Sequence, residues 1–184
     1  KKQKNITLIK KFSETQTTII CGSTWPKDEI ILNRLIKNYQ NYNFIIAPHE
    51  NNNIKKLQKE TSGILYSNVN ENNINSSNVL IIDRVGILSS IYKYGKYAYI
   101  GGGFGRGIHN ILEAVIFGIP AIFGPNYNKF KEAIDLVNKK AAISINNYNE
   151  LVSALDYFKK FDKSISENYI KENCGATEEI IKKL

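Results

Sequence analysis

Short apolar segments alternate with segments of helical period along most of this chain. Runs of β-branched and aromatic residues predict strands at 17–21, 43–47, 63–66, 79–82, 97–100, 121–123 and 141–145. Amphipathic segments between and after them predict helices at 26–39, 54–59, 86–94, 111–117, 130–138, 150–158 and 164–184, the last as two pieces broken near Gly175. Strands that alternate with helices predict an α/β, Rossmann-like fold, a parallel sheet with helices on both faces.

The boundaries of this pattern predict one folded domain at residues 17–184. Residues 1–16 are polar and basic, and they predict a leading segment or linker. Residues 68–78 contain six asparagines and predict an exposed loop. The 184 residues include no methionine, so we expect the chain to be a piece of a longer protein. A chain of this length can bury a substantial core as one domain.

The most informative stretch is a glycine-rich loop after the strand at 97–100. Five glycines fall within the seven positions 101–107, and a helical pattern follows them. Glycines let a ligand approach the backbone, and the N–H groups at a helix start attract an anion, so the loop predicts a phosphate site. A tight turn that packs a helix on its sheet is the alternative. Known nucleotide-binding fingerprints do not fit, because Arg106, Ile108 and His109 stand where those motifs need glycine or Lys-Ser/Thr.

Polar residues follow the glycines directly. His109 and Glu113 are four positions apart, which predicts one shared helix face, and Glu113 is the only charge of a helix that the pattern predicts to be largely buried. Two interpretations of Glu113 stay open. It forms a capping box with Asn110, or it accepts hydrogen bonds from the vicinal hydroxyls of a sugar.

A second loop has the same strand–loop–helix form. Ser23 and Thr24 follow the first strand and precede Pro26, so their hydroxyls either cap the next helix or hold a phosphate. Ligands of parallel sheets bind at the carboxyl ends of the strands. The candidate site residues that this placement brings to that edge are Ser23, Thr24, His49, Glu50, Asp83, Gly105, Arg106, Gly107, Ile108, His109, Asn110, Glu113 and Asn126.

The charge balance favours an anionic partner. The formal net charge is +8, which suits nucleic acid, an anionic membrane surface or a phosphorylated substrate. Only three of the basic residues are arginines, which argues against a nucleic-acid module. The two cysteines, Cys21 and Cys174, lack metal-ligand spacing, and we expect free thiols in a reducing compartment, no metal site and no cofactor. No apolar run approaches the roughly 20 residues of a membrane span.

Several motifs, in order, resemble the C-terminal half of the 3-deoxy-D-manno-octulosonic acid (Kdo) transferases. They are Gly22-Ser23-Thr24-Trp25-Pro26-Lys27-Asp28-Glu29, Pro48-His49-Glu50, Asp83-x-x-Gly86, Gly101-Gly102-Gly103-Phe104, Gly107-Ile108-His109-Asn110-Ile111-Leu112-Glu113-Ala114 and Gly118-Ile119-Pro120-Ala121-Ile122-Phe123-Gly124-Pro125-Asn126. The resemblance runs from about Ile19 to the end of the chain. The block from 101 to 126 is its most specific part.

The resemblance implies the donor-binding, C-terminal half of a GT-B glycosyltransferase. Such enzymes move Kdo from CMP-Kdo to a lipid A precursor in lipopolysaccharide biosynthesis, on the cytoplasmic side of the bacterial inner membrane. It implies a phosphate held by the loop at 105–110, bordered by Ser23, Thr24, His49 and Glu50, and a ribose held by Glu113. It also implies that the catalytic base belongs to an N-terminal domain, so that this chain alone is not expected to catalyse transfer.

Two positions depart from the family pattern. Ala47 stands near a place where many members have arginine, and the common Asp-Thr-x-Gly-Glu motif is Asp83-Arg84-Val85-Gly86-Ile87 here. Two other classes stay open from the sequence. One is a GT-B protein with a UDP-sugar, either a glycosyltransferase or a sugar-nucleotide epimerase. The other is a non-catalytic basic module that binds nucleotides or nucleic acid.

Overall fold

The computed structural model describes residues 2–173, with the side chains of residues 2–6 and 51 excepted. Its centre is a parallel sheet of seven strands, in the spatial order β3-β4-β2-β1-β5-β6-β7. The strands are β1 (Thr17–Thr24), β2 (Tyr42–Pro48), β3 (Ile64–Leu65), β4 (Val79–Ile81), β5 (Tyr97–Ile100), β6 (Ala121–Phe123) and β7 (Ala142–Ser144).

Helices cover both faces of this sheet. They are α1 (Lys2–Thr15), α2 (Pro26–Asn38), α3 (Ile54–Thr61), α4 (Leu88–Ile91), α5 (Leu112–Val115), α6 (Lys131–Asn138), α7 (Tyr148–Tyr157) and α8 (Ser164–Asn173). Side chains of α2, α3 and α7 build the core on one face, and those of α1, α4, α5, α6 and α8 build the core on the other. The predicted α/β fold with two covered faces is therefore confirmed.

The period of two along the strands explains how one sheet serves two cores. In β5, Tyr97 and Tyr99 face the α2 side, whereas Ala98 and Ile100 face the α1 side. All four residues are buried, and the central strands consequently consist of nearly continuous apolar runs. This is why the pattern of the sequence revealed the strands.

Residues 1–16 were predicted as a leading segment or linker, and most of them form α1. Ile9 and Phe12 of this helix are buried in the core of the α1 face. Their burial shows a tight attachment to the sheet, while a connection to a preceding domain stays a prediction. At the other end, α8 matches the start of the predicted helix at 164–184. The predicted break near Gly175 and the thiol of Cys174 lie outside the described residues.

The strand order reverses between β1 and β5. From β1 the chain adds β2 beside it, then β3 at the edge of the sheet and β4 between β2 and β3, and it then returns to place β5 on the other side of β1. At such a switch point the loops that leave the two strands diverge and open a crevice at the carboxyl edge of the sheet. The two loops at this point are the loop at the end of β1, which contains Ser23 and which we call the Ser23 loop, and the glycine-rich loop.

Candidate functional site at the switch point

The Ser23 loop differs from its predicted turn. Strand β1 continues to Thr24, with an irregular register between Gly22 and Thr24, and Ser23 adopts a left-handed φ of 53°. The residue that caps α2 is Trp25, without a side-chain cap hydrogen bond. Of the two roles predicted for the Ser23 and Thr24 hydroxyls, capping of this helix is therefore wrong, and contact with a phosphate stays a prediction. The hydroxyl of Thr24 instead donates to the Glu29 carboxylate at 3.1 Å, and both residues are buried.

The glycine-rich loop is folded by its own backbone. The N–H groups of Gly105 and Gly107 donate to the Gly102 carbonyl, and that of His109 donates to the Gly101 carbonyl. Gly102 and Gly107 have φ angles of +92° and +141°, which other residues rarely adopt. Within residues 2–173, the N–H groups of Arg106 and Ile108 donate no hydrogen bond. Arg106 is exposed, so its N–H group is open to a ligand, whereas Ile108 is buried.

Close backbone contacts hold this loop between two neighbouring loops. A Cβ atom on Gly101 would lie 2.2 Å from the Ser23 carbonyl oxygen, and one on Gly103 would lie 2.6 Å from the Gly124 nitrogen. The Asn126 side chain adds a hydrogen bond to the Gly105 carbonyl at 2.8 Å. The loops that leave β1, β5 and β6 therefore form one joined backbone surface.

Helix α5 differs from the helix predicted after this loop. It has four residues, and its N-cap is Ile111 without a side-chain cap hydrogen bond. His109 precedes the helix, so the predicted shared face with Glu113 does not form. The capping box also does not form, since Asn110 accepts from the Leu112 N–H at 3.1 Å and donates from its amide to Glu113 at 3.4 Å. The helix is not buried on most sides either, because Leu112, Ile116 and Phe117 are exposed and Glu113 is half-buried.

A buried carboxylate braces the site. Asp28, in the first turn of α2, is 0% exposed and accepts three hydrogen bonds, from the N–H groups of Trp25 and Gly102 at 2.9 Å and from the Tyr99 hydroxyl at 2.8 Å. It connects α2, β5 and the glycine-rich loop. Burial, together with the negative charge of Asp28, raises the pKa of Tyr99 well above its usual value, so Tyr99 stays a donor. In the sequence, Asp28 stood out only as a member of the motif that begins at Gly22.

Three aromatic side chains meet above this brace. The Trp25 and His49 rings stack with centroids 4.5 Å apart, and the His49 and His109 rings lie 4.4 Å apart. The indole Nε1 of Trp25 donates to Nε2 of His109 at 3.2 Å. Burial, followed by the nearby His49, lowers the pKa of His109, which keeps its Nε2 an acceptor. We call these three residues the aromatic cluster.

The glycine-rich loop, α2 and Phe130 enclose a cavity of about 760 Å³ at the carboxyl edge. Predicted residues that line it are Glu50, Gly105, Arg106, Gly107 and His109, and residues that the prediction missed are Trp25, Pro26, Lys27, Asp28, Gly102 and Phe130. Neither Lys27 nor Arg106 forms an ion pair within the described part of the chain. This cavity therefore has unpaired cations at its rim and an aromatic wall.

Other predicted residues lie outside this cavity. Ser23 and His49 line a smaller neighbouring cavity, and Ile108 is buried in the core. Asp83 accepts a hydrogen bond from the Ser67 N–H at 3.0 Å. Roles for the predicted site residues stay proposals. Among residues 2–173 there is no group of three or more His, Cys, Asp or Glu side chains that could hold a metal, and no helix long and apolar enough to span a membrane.

Sequence comparisons find several relatives that share one name, although no family model matches the chain. It is 32% identical over 153 residues to a 3-deoxy-D-manno-octulosonic acid transferase of Aquifex aeolicus, covering 80% of this chain and 43% of that protein. It is 26% identical over 181 residues to the transferase of the same name from Rickettsia felis, covering 94% of this chain and 39% of that protein. The chain thus spans about two fifths of the length of these curated relatives.

Structural comparison finds the same architecture. The C-terminal CMP-Kdo binding domain of WaaA from Acinetobacter baumannii superimposes with a TM-score of 0.73 at 17% identity, covering 91% of this chain and 95% of that domain. The C-terminal domain of a glycosyl transferase group 1 family protein (LpcC) from Francisella tularensis gives a TM-score of 0.52 at 15% identity, with 82% and 78% coverage. The resemblance found in the sequence is confirmed: this chain is homologous to the C-terminal part of the 3-deoxy-D-manno-octulosonic acid transferases and has the Rossmann-like fold of a GT-B C-terminal domain.

Proposed function

We propose that this chain binds CMP-Kdo as the donor-binding domain of a glycosyltransferase that moves Kdo onto a lipid A precursor in lipopolysaccharide biosynthesis. The observation that carries the proposal is the joined backbone surface beside the cavity of about 760 Å³, which we call the donor cavity, with the unused N–H group of Arg106 next to its unpaired guanidinium. This arrangement suits one phosphate at the switch point of a parallel sheet. The relatives, which are named as Kdo transferases, support the choice of sugar.

The phosphate is the group on which this surface acts. When the bond between Kdo and CMP breaks, negative charge grows on the phosphate of the departing CMP. The N–H group and the guanidinium of Arg106 are placed to stabilise that charge. Asp28 contributes indirectly, since it holds the Gly102 end of the loop through a hydrogen bond of 2.9 Å.

Glu113 is proposed to hold the ribose. Its carboxylate is half-buried, with one hydrogen bond from the Asn110 amide at 3.4 Å, so it keeps capacity to accept from two vicinal hydroxyls. Thr24, whose hydroxyl is used by Glu29, is proposed to shape the loop rather than to contact the donor.

The remaining partners of the whole protein are also proposals. The relatives are more than twice as long as the matched region, which supports a second, N-terminal domain that supplies the catalytic base and closes the cleft. The acceptor would be a lipid A precursor at the cytoplasmic side of the inner membrane. The net charge of +8 supports attraction to an anionic membrane surface.

Calorimetric titration of this chain with CMP, and separately with UMP, tests the proposal. We expect weak CMP binding and poorer UMP binding. Glu113→Ala is expected to weaken CMP binding by about tenfold or more, because hydrogen bonds to a carboxylate contribute about 1.5–3 kcal/mol each. Glu167→Ala, a half-buried helical carboxylate that pairs with Lys163, is the matched control and should leave the affinity unchanged. Equal loss in both variants, or no CMP binding by the unaltered chain, would contradict the proposal.

A further inference from the structure

A second cavity, of about 240 Å³, lies at the same edge of the sheet. It is formed between the ends of β1, β2 and β4, and Ser23, Pro48, His49, Ile82, Arg84 and Leu88 are among its lining residues. The aromatic cluster separates it from the donor cavity, because His49 lines the smaller cavity whereas Trp25 and His109 line the larger one. The two cavities are thus neighbouring compartments of one crevice.

Arg84 contributes a positive charge to the lining of the smaller cavity. Its side chain is exposed, and it forms no ion pair or hydrogen bond with any residue that the structure describes. The loop around it is open, since Val85 is 93% exposed and a Cβ atom on Gly86 would meet nothing within 4 Å. The guanidinium therefore keeps all five N–H donors for a ligand.

The position of Glu113 relates this cavity to the ribose. Tyr92 and Leu88 both pack beneath Gly22, and Leu88 lines the smaller cavity. Helix α5, which carries Glu113, packs against residues 92–94, so Glu113 lies on the Tyr92 side of the glycine-rich loop. Phe130 and Lys27, which line the donor cavity, belong neither to α5 nor to the segment that carries Leu88 and Tyr92. A ribose held by Glu113 would therefore direct its base toward the smaller cavity and its sugar phosphate toward the larger one.

We infer that Arg84 selects cytosine over uracil by hydrogen bonding to the base in the smaller cavity, an inference that rests on the proposed function. Cytosine presents two adjacent acceptors, O2 and N3, and a guanidinium donates to two adjacent acceptors at once. Uracil carries a proton on N3, which would face the donors of Arg84 and leave one of them without an acceptor. Bidentate contacts of this kind discriminate between bases by about tenfold or more.

Calorimetric titrations with CMP and UMP on three variants test the inference. Arg84→Ala should weaken CMP binding by about tenfold and leave UMP binding nearly unchanged, because only cytosine uses both donors. Arg84→Lys keeps the charge but not the planar fork, and it should also lose most of the preference for CMP. Arg106→Ala, at the proposed phosphate site, should weaken both nucleotides by the same factor and leave their ratio unchanged.

The outcomes separate this inference from the proposed function. If the unaltered chain prefers CMP and Arg84→Ala keeps that preference, Arg84 does not read the base, while the donor site stands. If Arg84→Ala weakens CMP and UMP equally, Arg84 acts as a general cation and the inference fails. If the unaltered chain binds neither nucleotide, the proposed function and this inference fail together. Circular dichroism of each variant checks that the fold is retained.

Discussion

The two strand–loop–helix units at the switch point are built in opposite ways. The unit β1–α2 passes from strand to helix within a few residues, and α2 runs for 13 residues from Pro26. The unit β5–α5 takes an eleven-residue loop, from 101 to 111, to reach a helix of four residues. Both units leave adjacent parallel strands. Because the positions in the sheet are equivalent, the two units differ through the residues of their loops.

In the first unit side chains determine the geometry, and in the second the backbone does. In the first unit, the ring of Pro26 lies in the first turn of α2. The carboxylate of Asp28 accepts from the Trp25 N–H, and that of Glu29 accepts from the Thr24 hydroxyl. The glycine-rich loop is held by hydrogen bonds of its own backbone, and the N–H group of the exposed Arg106 is unused. Asp28 belongs to the first unit but holds Gly102 of the second. A side chain of the β1–α2 unit thus holds the glycine-rich loop of the β5–α5 unit in place.

The largest expected effect comes from adding one methyl group where the two units touch. Gly101→Ala would place a Cβ atom 2.2 Å from the Ser23 carbonyl oxygen and 2.7 Å from the Thr24 Cα. These are backbone atoms of the central strand, which cannot move without breaking the pairing of β1. We expect a loss of about 3 kcal/mol in the free energy of unfolding, measured by urea denaturation.

Gly105→Ala is the control within the same loop. Its Cβ atom would lie 3.5 Å from the Gly102 carbonyl oxygen, an ordinary contact, and Gly105 does not need a left-handed φ. The free energy of unfolding should change by no more than about 0.5 kcal/mol. Similar losses in both variants would show that the loop is sensitive everywhere and that close packing on β1 is not the cause.

The next effect tests the carboxylate that joins the two units. Asp28→Asn keeps the shape but replaces one oxygen by an NH₂ group, which would face the N–H donors or the Tyr99 hydroxyl. A buried donor without a partner costs about 1–3 kcal/mol, and we expect a loss of about 3 kcal/mol in the free energy of unfolding. CMP binding should weaken as well, because Gly102 loses its anchor.

Tyr99→Phe removes one of the three donors and leaves the carboxylate in place. Its expected cost is about 1 kcal/mol, with little effect on the glycine-rich loop. The double variant should lose less than the sum of the two single variants, since the residues share a hydrogen bond. Additive losses would mean that Asp28 does not act through Tyr99.

The difference between the units also explains what the sequence could predict. Buried strands such as β5 and β6 were located to the residue, because their apolar runs record burial on two faces. The end of β1 was missed, since Gly22 and Ser23 look like a turn, whereas pairing with β2 continues past an irregularity at Ser23. Tertiary pairing here overrides local preference.

The candidate site divides in the same way. The glycine-rich loop could be found from its composition, which needs no knowledge of distant residues. Asp28 could not be found as a brace, because two of its donors, on Tyr99 and Gly102, are 71 and 74 positions away. Trp25 was missed for the same reason, with its hydrogen-bond partner His109 84 positions along the chain. Long-range contacts of this kind carry no local signal.

The smallest effect concerns the hydrogen bond from Trp25 to His109, which closes the crevice between the units. Burial and the neighbouring His49 hold the pKa of His109 below its usual 6.5, with Asp28 opposing them weakly. Neutral His109 is therefore favoured in the fold, and the stability it contributes is present above pH 6.5 and lost as the pH falls through the lowered pKa. Protonated Nε2 can no longer accept from the indole.

Two spectroscopic signals follow this titration. The chain has two histidines and one tryptophan, so proton NMR of the imidazole rings and the fluorescence of Trp25 are both simple to assign. We expect the His109 resonance and the Trp25 emission to change together, with a midpoint below pH 6.5. His49→Gln should move the His109 midpoint upward, because it removes the second cause of the lowered pKa. A midpoint at or above 6.5 in the unaltered chain would show that His109 is solvated like a free side chain, and the aromatic cluster would then not separate the two cavities.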